Sequence, residues 1–376
     1  MAVYLDCNAT TPLEPRVQDE VLRYLAVEFG NAGSRTHDFG ARAKQAVQRA
    51  RDQVAHVVSA ERDEVVFTSG ATESNNLAIL GLAAHGEKTG RKHVVTTQIE
   101  HKAVLEPMEV LASRGFEITY VPPTSAGWVT PDAIGGALRG DTLLVSVMQA
   151  NNETGVVQPI PEIAVALGDH PAFLHVDAAQ GFGKEIHPLR NPRIDLISIS
   201  GHKIFAPKGI GALVTRRRGF TKVPLTPLFY GGGQERGLRP GTLPVPLVVG
   251  LGLAAELAEQ EATQRAEACR RYRATVMEAL RSLEPAFNGD PELSMPHVLN
   301  ISLPGLDSEA VMVALKDVIA ISNGSACTSQ SYQPSHVLKA MCLPRSRIEG
   351  ALRISWCHMT EGPEWGKVVD IIRRLR

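Results

Sequence analysis

The chain is 376 residues long, 44% hydrophobic and 21% charged, with a formal net charge of −1. That length exceeds one typical core and predicts two domains, and the near-neutral balance gives no electrostatic case for nucleic acid or membrane binding. Five cysteines, an odd number without a Cys-x-x-Cys pair, argue against both a disulfide framework and a zinc site.

From Met1 the chain shows no basic region followed by an apolar stretch, and no run approaches membrane-spanning length, so a cytoplasmic protein is expected. Tyr4–Pro12 is a short apolar run breaking into turn formers, a lead-in segment. Phe29–His37, rich in Gly, Asn and Ser, reads as a loop before a helix from Gly40 to about Val58. Val65–Thr68 then passes through Ser69 and Gly70 into a helix-compatible stretch. A helix start of that kind offers free N–H groups and the positive end of the dipole to an anion, and the Thr72 hydroxyl can add a bond. Any αβ unit begins a helix this way, so the pattern alone is weak.

Further β-rich runs fall near 93–97, 116–121, 142–148, 172–176, 194–199 and 211–215, seven with 65–68. Alternation with helical stretches predicts an α/β layer with a mainly parallel sheet whose ligand lies at the carboxyl ends of the strands. Several polar residues follow such runs. His101 is a cap or surface residue on position alone, though an imidazole there could shuttle protons; Asn151–Gly155 reads as an Asx turn containing Asn152. Asp177 ends one run. Lys203 follows another among small residues, where partial burial can lower an amine's pKa enough for attack on a carbonyl. Lys208, between Pro207 and Gly209, reads as a turn with its side chain in solvent. A lysine after a strand is more often a solvated strand end; the Lys203–Asp177 pair outweighs that reading, because pyridoxal phosphate (PLP) sites need a lysine for a Schiff base and an aspartate for the pyridinium nitrogen.

Arg216–Arg218 with Lys222 reads as a solvated edge, or alternatively a dock for an acidic partner. Gly231–Thr242 is a glycine-rich loop, residues 250–283 a single long helix joining two lobes, and 285–296 a turn-rich break. Strand, helix and strand around 298–303, 307–317 and 351–355 suit a small α+β domain. Ser322–Pro334 is a polar loop around Cys327, which suits an exposed thiolate nucleophile. Arg353, inside an apolar strand, needs a carboxylate, either from an internal salt bridge or from an amino-acid substrate.

Together, Ser200-Gly201-His202-Lys203, His175-Val176-Asp177-Ala178-Ala179-Gln180 and Ser325-Ala326-Cys327-Thr328-Ser329 resemble the signatures of the cysteine desulfurases, and the resemblance runs from Tyr4 to about Thr360. It implies the PLP-dependent transferase fold (fold type I): a large domain over 15–260 with a seven-stranded sheet, and a small domain from 1–14 and 261–376. It implies that Ala71 and Thr72 bind the cofactor phosphate, that Gln180, Ser200, Gly201 and His202 position ring and phosphate, and that His101 stacks on the ring. Asn152 would touch cofactor and substrate, Arg353 the substrate carboxylate, and Thr242 the phosphate of the other subunit in a homodimer. The implied reaction converts L-cysteine to L-alanine, leaving a persulfide on Cys327 for acceptor or scaffold proteins. Iron–sulfur assembly, tRNA thiolation and DNA phosphorothioation use such enzymes; residues 29–35 and 327–332 look most like the phosphorothioation branch. Selenocysteine lyase or another class V enzyme is the alternative activity, and a non-catalytic dimeric sulfur-transfer scaffold the non-enzymatic one. Departures are Cys7 for a usual Asn, read as packing, Ala32 for Pro, Asn323 for Ser, and Trp356-Cys357-His358-Met359 where Gly-Arg usually precedes the threonine.

Overall fold

A computed structural model describes residues 2–303, 305–324 and 334–375. Its strands are β1 Val3–Tyr4, β2 Val65–Thr68, β3 His93–Thr97, β4 Glu117–Val121, β5 Thr142–Met148, β6 Phe173–Asp177, β7 Leu196–Ser200, β8 Gly211–Thr215, β9 Ala286–Phe287, β10 Val298–Ser302, β11 Ile319–Ala320 and β12 Ala351–Ser355. Strands β2 to β8 form one seven-stranded sheet in the order β2-β8-β7-β6-β5-β3-β4. The pairs among β4, β3, β5, β6 and β7 are parallel, while β8 runs antiparallel to both β7 and β2. Every residue of β2, β3, β5 and β7 is buried, as expected of a sheet covered on both faces.

Helices Asp38–Val57 and Val245–Gln260 pack together on one face, and small residues bring their backbones close. A Cβ at Gly252 would lie 2.5 Å from Ala50 Cα, so a larger residue would force the helices apart. The first helix is capped by His37, whose Nδ1 accepts the Gly40 N–H. Its buried Ala43, Ala46, Val47, Ala50 and Val54 join β2, β5, β6 and β7 in one apolar cluster. A second cluster gathers Leu5, Cys269, Val276 and Leu280 with residues of β10, β12 and the helices Ser308–Leu315 and Trp365–Arg373. Here β10 pairs with β12 and β9, and β1 with β11.

Two expectations are corrected. The stretch 250–283 is not one helix: Val245–Gln260 and Ala262–Leu280 are separate, and Glu261 at the corner has φ −104° and ψ 8°. Ion pairs of its carboxylate with Arg16 at 2.7 Å and Arg265 at 2.8 Å hold that corner; Arg16 leads in drawing the Glu261 carboxyl down to about 2. Nor is Arg216 part of a solvated edge, although Arg217, Arg218 and Lys222 are exposed as that reading expects. Arg216 is buried and donates to the carbonyls of Leu189 (2.7 Å), Asn191 (2.6 Å) and Val58, and Arg218 pairs with buried Asp195 at 2.6 Å. Just after β8, the Arg216 guanidinium reaches carbonyls at helix C-termini, which cations satisfy.

Candidate active site

At the carboxyl ends of β3, β5, β6 and β7 lies a cavity of about 410 Å3. Ten of the residues singled out in the sequence line it: Ala71, Thr72, His101, Asn152, Asp177, Gln180, Ser200, His202, Lys203 and Arg353. Parallel strands deliver their C-terminal residues to one edge, and that is why segments 100 residues apart converge. Gly201 lies behind the wall, where a Cβ would meet Ile210 Cγ2 and O at 2.9 Å. Thr242 lines a different cavity with Arg51, Arg236 and Gln234, so within one chain it does not reach this site. Cys327 lies outside the described residues. Lys208 is exposed beside Gly209 (φ +85°), as its turn reading predicts, and borders the cavity.

Asp177 is held rigidly. Its Oδ2 accepts from Asn75 Nδ2 at 2.8 Å and its Oδ1 from the Ala179 N–H at 2.9 Å. Lys203 sits in a 3₁₀ turn, Gly201–Lys203, directly after β7; its Nζ donates to the carbonyls of Asn8 and, at 2.8 Å, Ala9. The N-terminal lead-in therefore closes over the lysine.

His101 caps the helix Lys102–Ser113, its Nδ1 accepting the Ala103 N–H at 3.1 Å. Burial lowers its pKa, partly opposed by Asp177, so the ring is neutral near pH 7. With Nδ1 accepting, the ring proton resides on Nε2. His202, bonded to Thr10 at 3.2 Å, is pushed down to about 4 by burial and then by Lys203. Behind His101, Glu100 accepts from Thr97 Oγ1 (2.7 Å) and the Met148 N–H (2.9 Å), and burial drives its carboxyl up to about 8.

The helix start that the sequence offers to an anion begins at Gly70, whose φ of +153° lies in a region an L side chain rarely adopts; the ten-residue helix Ala71–Leu80 follows. At the opposite wall, buried Arg353 pairs with Asp6 Oδ1 at 2.6 Å and donates to the Asn152 carbonyl at 3.0 Å. The carboxylate that a strand-interior arginine requires thus comes from within the chain.

Asn8 Oδ1, Asn75 Oδ1, Gln180 Oε1 and Arg353 Nε are buried without a partner among the described residues, and all four residues line this cavity. Orphaned buried polar atoms are costly, and here they surround an amine, a carboxylate and a helix N-terminus. That donor and acceptor set fits pyridoxal phosphate: a carbonyl for Lys203, a ring nitrogen for Asp177, and a phosphate for the start of the helix Ala71–Leu80. Sequence reasoning missed Asn8 and Asn75. Asn75 lies one helical turn beyond Ala71, on the same face, which was the available signal.

The class-V aminotransferase family model matches residues 3–364. The cysteine desulfurase IscS of Methylococcus capsulatus is 44% identical over 374 residues, 99% of this chain and 92% of that protein. Among solved structures, DndA from Streptomyces lividans is 53% identical with a TM-score of 0.83, over 93% of this chain and 98% of that one. SspA in complex with cysteine is 35% identical with a TM-score of 0.83, over 96% of this chain and 100% of that one. The chain belongs to the class-V aminotransferase family, among its cysteine desulfurases.

Proposed function

We propose that this protein is a PLP-dependent cysteine desulfurase that takes the sulfur of L-cysteine onto Cys327 as a persulfide and releases L-alanine. The observation that carries the reading is the convergence of Lys203, Asp177, His101 and Arg353 on one cavity ringed by unsatisfied polar atoms, in a chain related over nearly its whole length to cysteine desulfurases. When bound, pyridoxal phosphate supplies an aldehyde for amines and a ring that accepts electrons from the substrate Cα. Lys203 anchors the cofactor and, once displaced by substrate, moves the proton at Cα. Asp177, fixed by Asn75 and the Ala179 N–H, keeps a proton on the ring nitrogen. Ala71 and Thr72 hold the phosphate with Ser200 and His202. His101, lining the cavity with its proton on Nε2, stacks on the ring; Gln180 and Asn152 orient the ring, and Arg353 receives the substrate carboxylate through its unpartnered Nε–H.

The Cys327 thiolate attacks the substrate sulfur: an S–S bond forms, the Cβ–S bond breaks, and its electron pair returns to the substrate carbon, which is protonated on the way to alanine. This role rests on the sequence of its loop. Thr242, outside the cavity of its own chain, would complete the neighbouring subunit's phosphate site, making the enzyme a homodimer. Residues 29–35 and 327–332 favour delivery of the sulfur to proteins of DNA phosphorothioation.

The test is direct. Purified protein with PLP and L-cysteine should release L-alanine and gain one sulfur mass on the Cys327 peptide. Cys327→Ser should bind cysteine and release almost no alanine. Alanine without a Cys327 persulfide would sink the nucleophile assignment, and no alanine from wild type would sink the activity. Co-purification with tagged protein identifies the acceptor.

A further inference from the structure

A second cavity, about 50 Å3, lies on the Cys7 side of the N-terminal segment, whose next residue, Asn8, lines the polar cavity. Cys7, Cys269 and Cys357 line it with Lys184 and His297. The proposed reaction uses none of these thiols. Cys7, Phe205 and Cys357 pack in one small buried cluster. Backbone pairing imposes the contact: Asp6 bridges Ser355 in parallel, and the Cys7 N–H donates to the Ser355 carbonyl at 3.0 Å. Two cysteines 350 positions apart are thereby brought into one buried cluster.

The two thiols are not equivalent. Thr360 Oγ1 accepts the Cys357 N–H at 2.9 Å and turns its own hydroxyl toward Cys357 Sγ at 3.5 Å. Contact with the Cys7 thiol, and then the Thr360 hydroxyl, lowers the Cys357 pKa, and the same contact pushes the Cys7 thiol up. The Thr360 hydroxyl aimed at its sulfur favours the thiolate at Cys357, and thiolate character selects the nucleophile. The cavity has room for several water-sized molecules, each of which needs ~10–15 Å3, and therefore for a small hydroperoxide.

We propose that Cys7 and Cys357 form a redox couple that closes to a disulfide when a hydroperoxide enters this cavity. The Cys357 thiolate attacks one oxygen of hydrogen peroxide; the O–O bond breaks, a sulfenic acid forms, and the second oxygen leaves as hydroxide, which takes a proton to become water. The Cys7 sulfur then attacks Cys357 Sγ, forming S–S and breaking S–O, and a second water leaves with the Cys7 proton. Two thiols lose two electrons in total and the peroxide gains them, which is the ordinary route from sulfenic acid to disulfide. The bond ties the N-terminal segment to the stretch after β12. Because the Asn8 and Ala9 carbonyls hold Lys203 Nζ, oxidation would pin the segment that positions the lysine.

The holoenzyme, treated with a small excess of hydrogen peroxide, alkylated and digested without reductant, should yield a Cys7–Cys357 cross-linked peptide, lost on reduction. Cys7→Ser should instead leave a sulfenic acid on Cys357 that dimedone traps, whereas Cys357→Ser should leave Cys7 unlabelled. The proposal is overturned if wild type consumes peroxide at exposed Cys342 while Cys7 and Cys357 remain alkylatable. It is also overturned if Cys357 cross-links to Cys269, or if dimedone labels Cys7 in Cys357→Ser. The wild-type measurement stands even where a variant folds poorly.

Discussion

Lys203 and Lys184 each line a cavity bordered by the N-terminal segment, and each has a histidine nearby. Desolvation lowers the Lys184 amine to about 8, and its Nζ lies 3.4 Å from His297 Nε2. By the criterion of a depressed amine alone, Lys184 would pass as a reactive lysine. Its cavity, however, is small and lined largely by apolar atoms and thiols. The Lys203 cavity is about 410 Å3 and ringed by Asp177, Asn75, Gln180 and Arg353, several with unfilled hydrogen-bonding valences. A buried amine becomes a cofactor site when its surroundings hold polar groups that only a ligand can satisfy; otherwise it is a tolerated cost of packing.

The largest expected effect breaks the comparison directly. Lys203→Ala should lower alanine formation by at least about 10^3-fold and abolish the yellow colour of the reconstituted protein, with the circular dichroism spectrum unchanged. Lys184→Met should keep both within a few-fold; equal losses in the two variants would mean that burial, not the polar ring, marks the site.

Next in size is Asp177→Ala. Turnover should fall by about 10^2- to 10^3-fold and PLP should dissociate more readily in dialysis. Near-normal turnover would reduce Asp177 to a cap for the Ala179 N–H.

Stability against pH sharpens the contrast from the other side. The Lys184 amine is neutral in the native state above about 8 and charged in the unfolded chain up to about 10.5. Between those values the unfolded state binds more protons, so wild-type stability should rise with pH there. Lys184→Met should be more stable than wild type by roughly 1–3 kcal/mol at pH 7, with the gap closing between pH 8 and 10.5 in denaturant titrations. A gap independent of pH would show that the amine is solvated.

The smallest effect concerns Asn75. Removing its bond to Asp177 Oδ2 in Asn75→Ala should cost about tenfold in turnover, the worth of one charge-assisted hydrogen bond. A loss as large as that of Asp177→Ala would make Asn75 a direct cofactor ligand.

Much of this was legible before any coordinates. The seven runs from 65–68 to 211–215 read as strands because each is short, β-branched and bounded by breakers, and each lies within two residues of its observed span. Lys203, Asp177 and His101 follow such runs, and a parallel sheet must carry strand ends to one edge, so their convergence was implied by local pattern alone. Arg353 could be read as needing a carboxylate, because charge inside a buried strand demands a partner.

Which partner it found was not legible. Asp6 is 347 positions away, and no local pattern encodes a pairing made by folding the first residues across β12. The same holds for Asn75 on Asp177, for the Asn8 and Ala9 carbonyls on Lys203, and for Arg216 buried among helix ends instead of in solvent. The helix break at Glu261 has no proline or glycine to announce it, because ion pairs from Arg16 and Arg265 hold the corner. The thiol contact of Cys7 with Cys357 belongs to this class. Sequence alone determined the elements and the residue types at strand ends, since propensity and periodicity are local; tertiary structure decided which distant polar groups met, since burial removes water as the alternative partner and leaves each to the neighbour the fold provides.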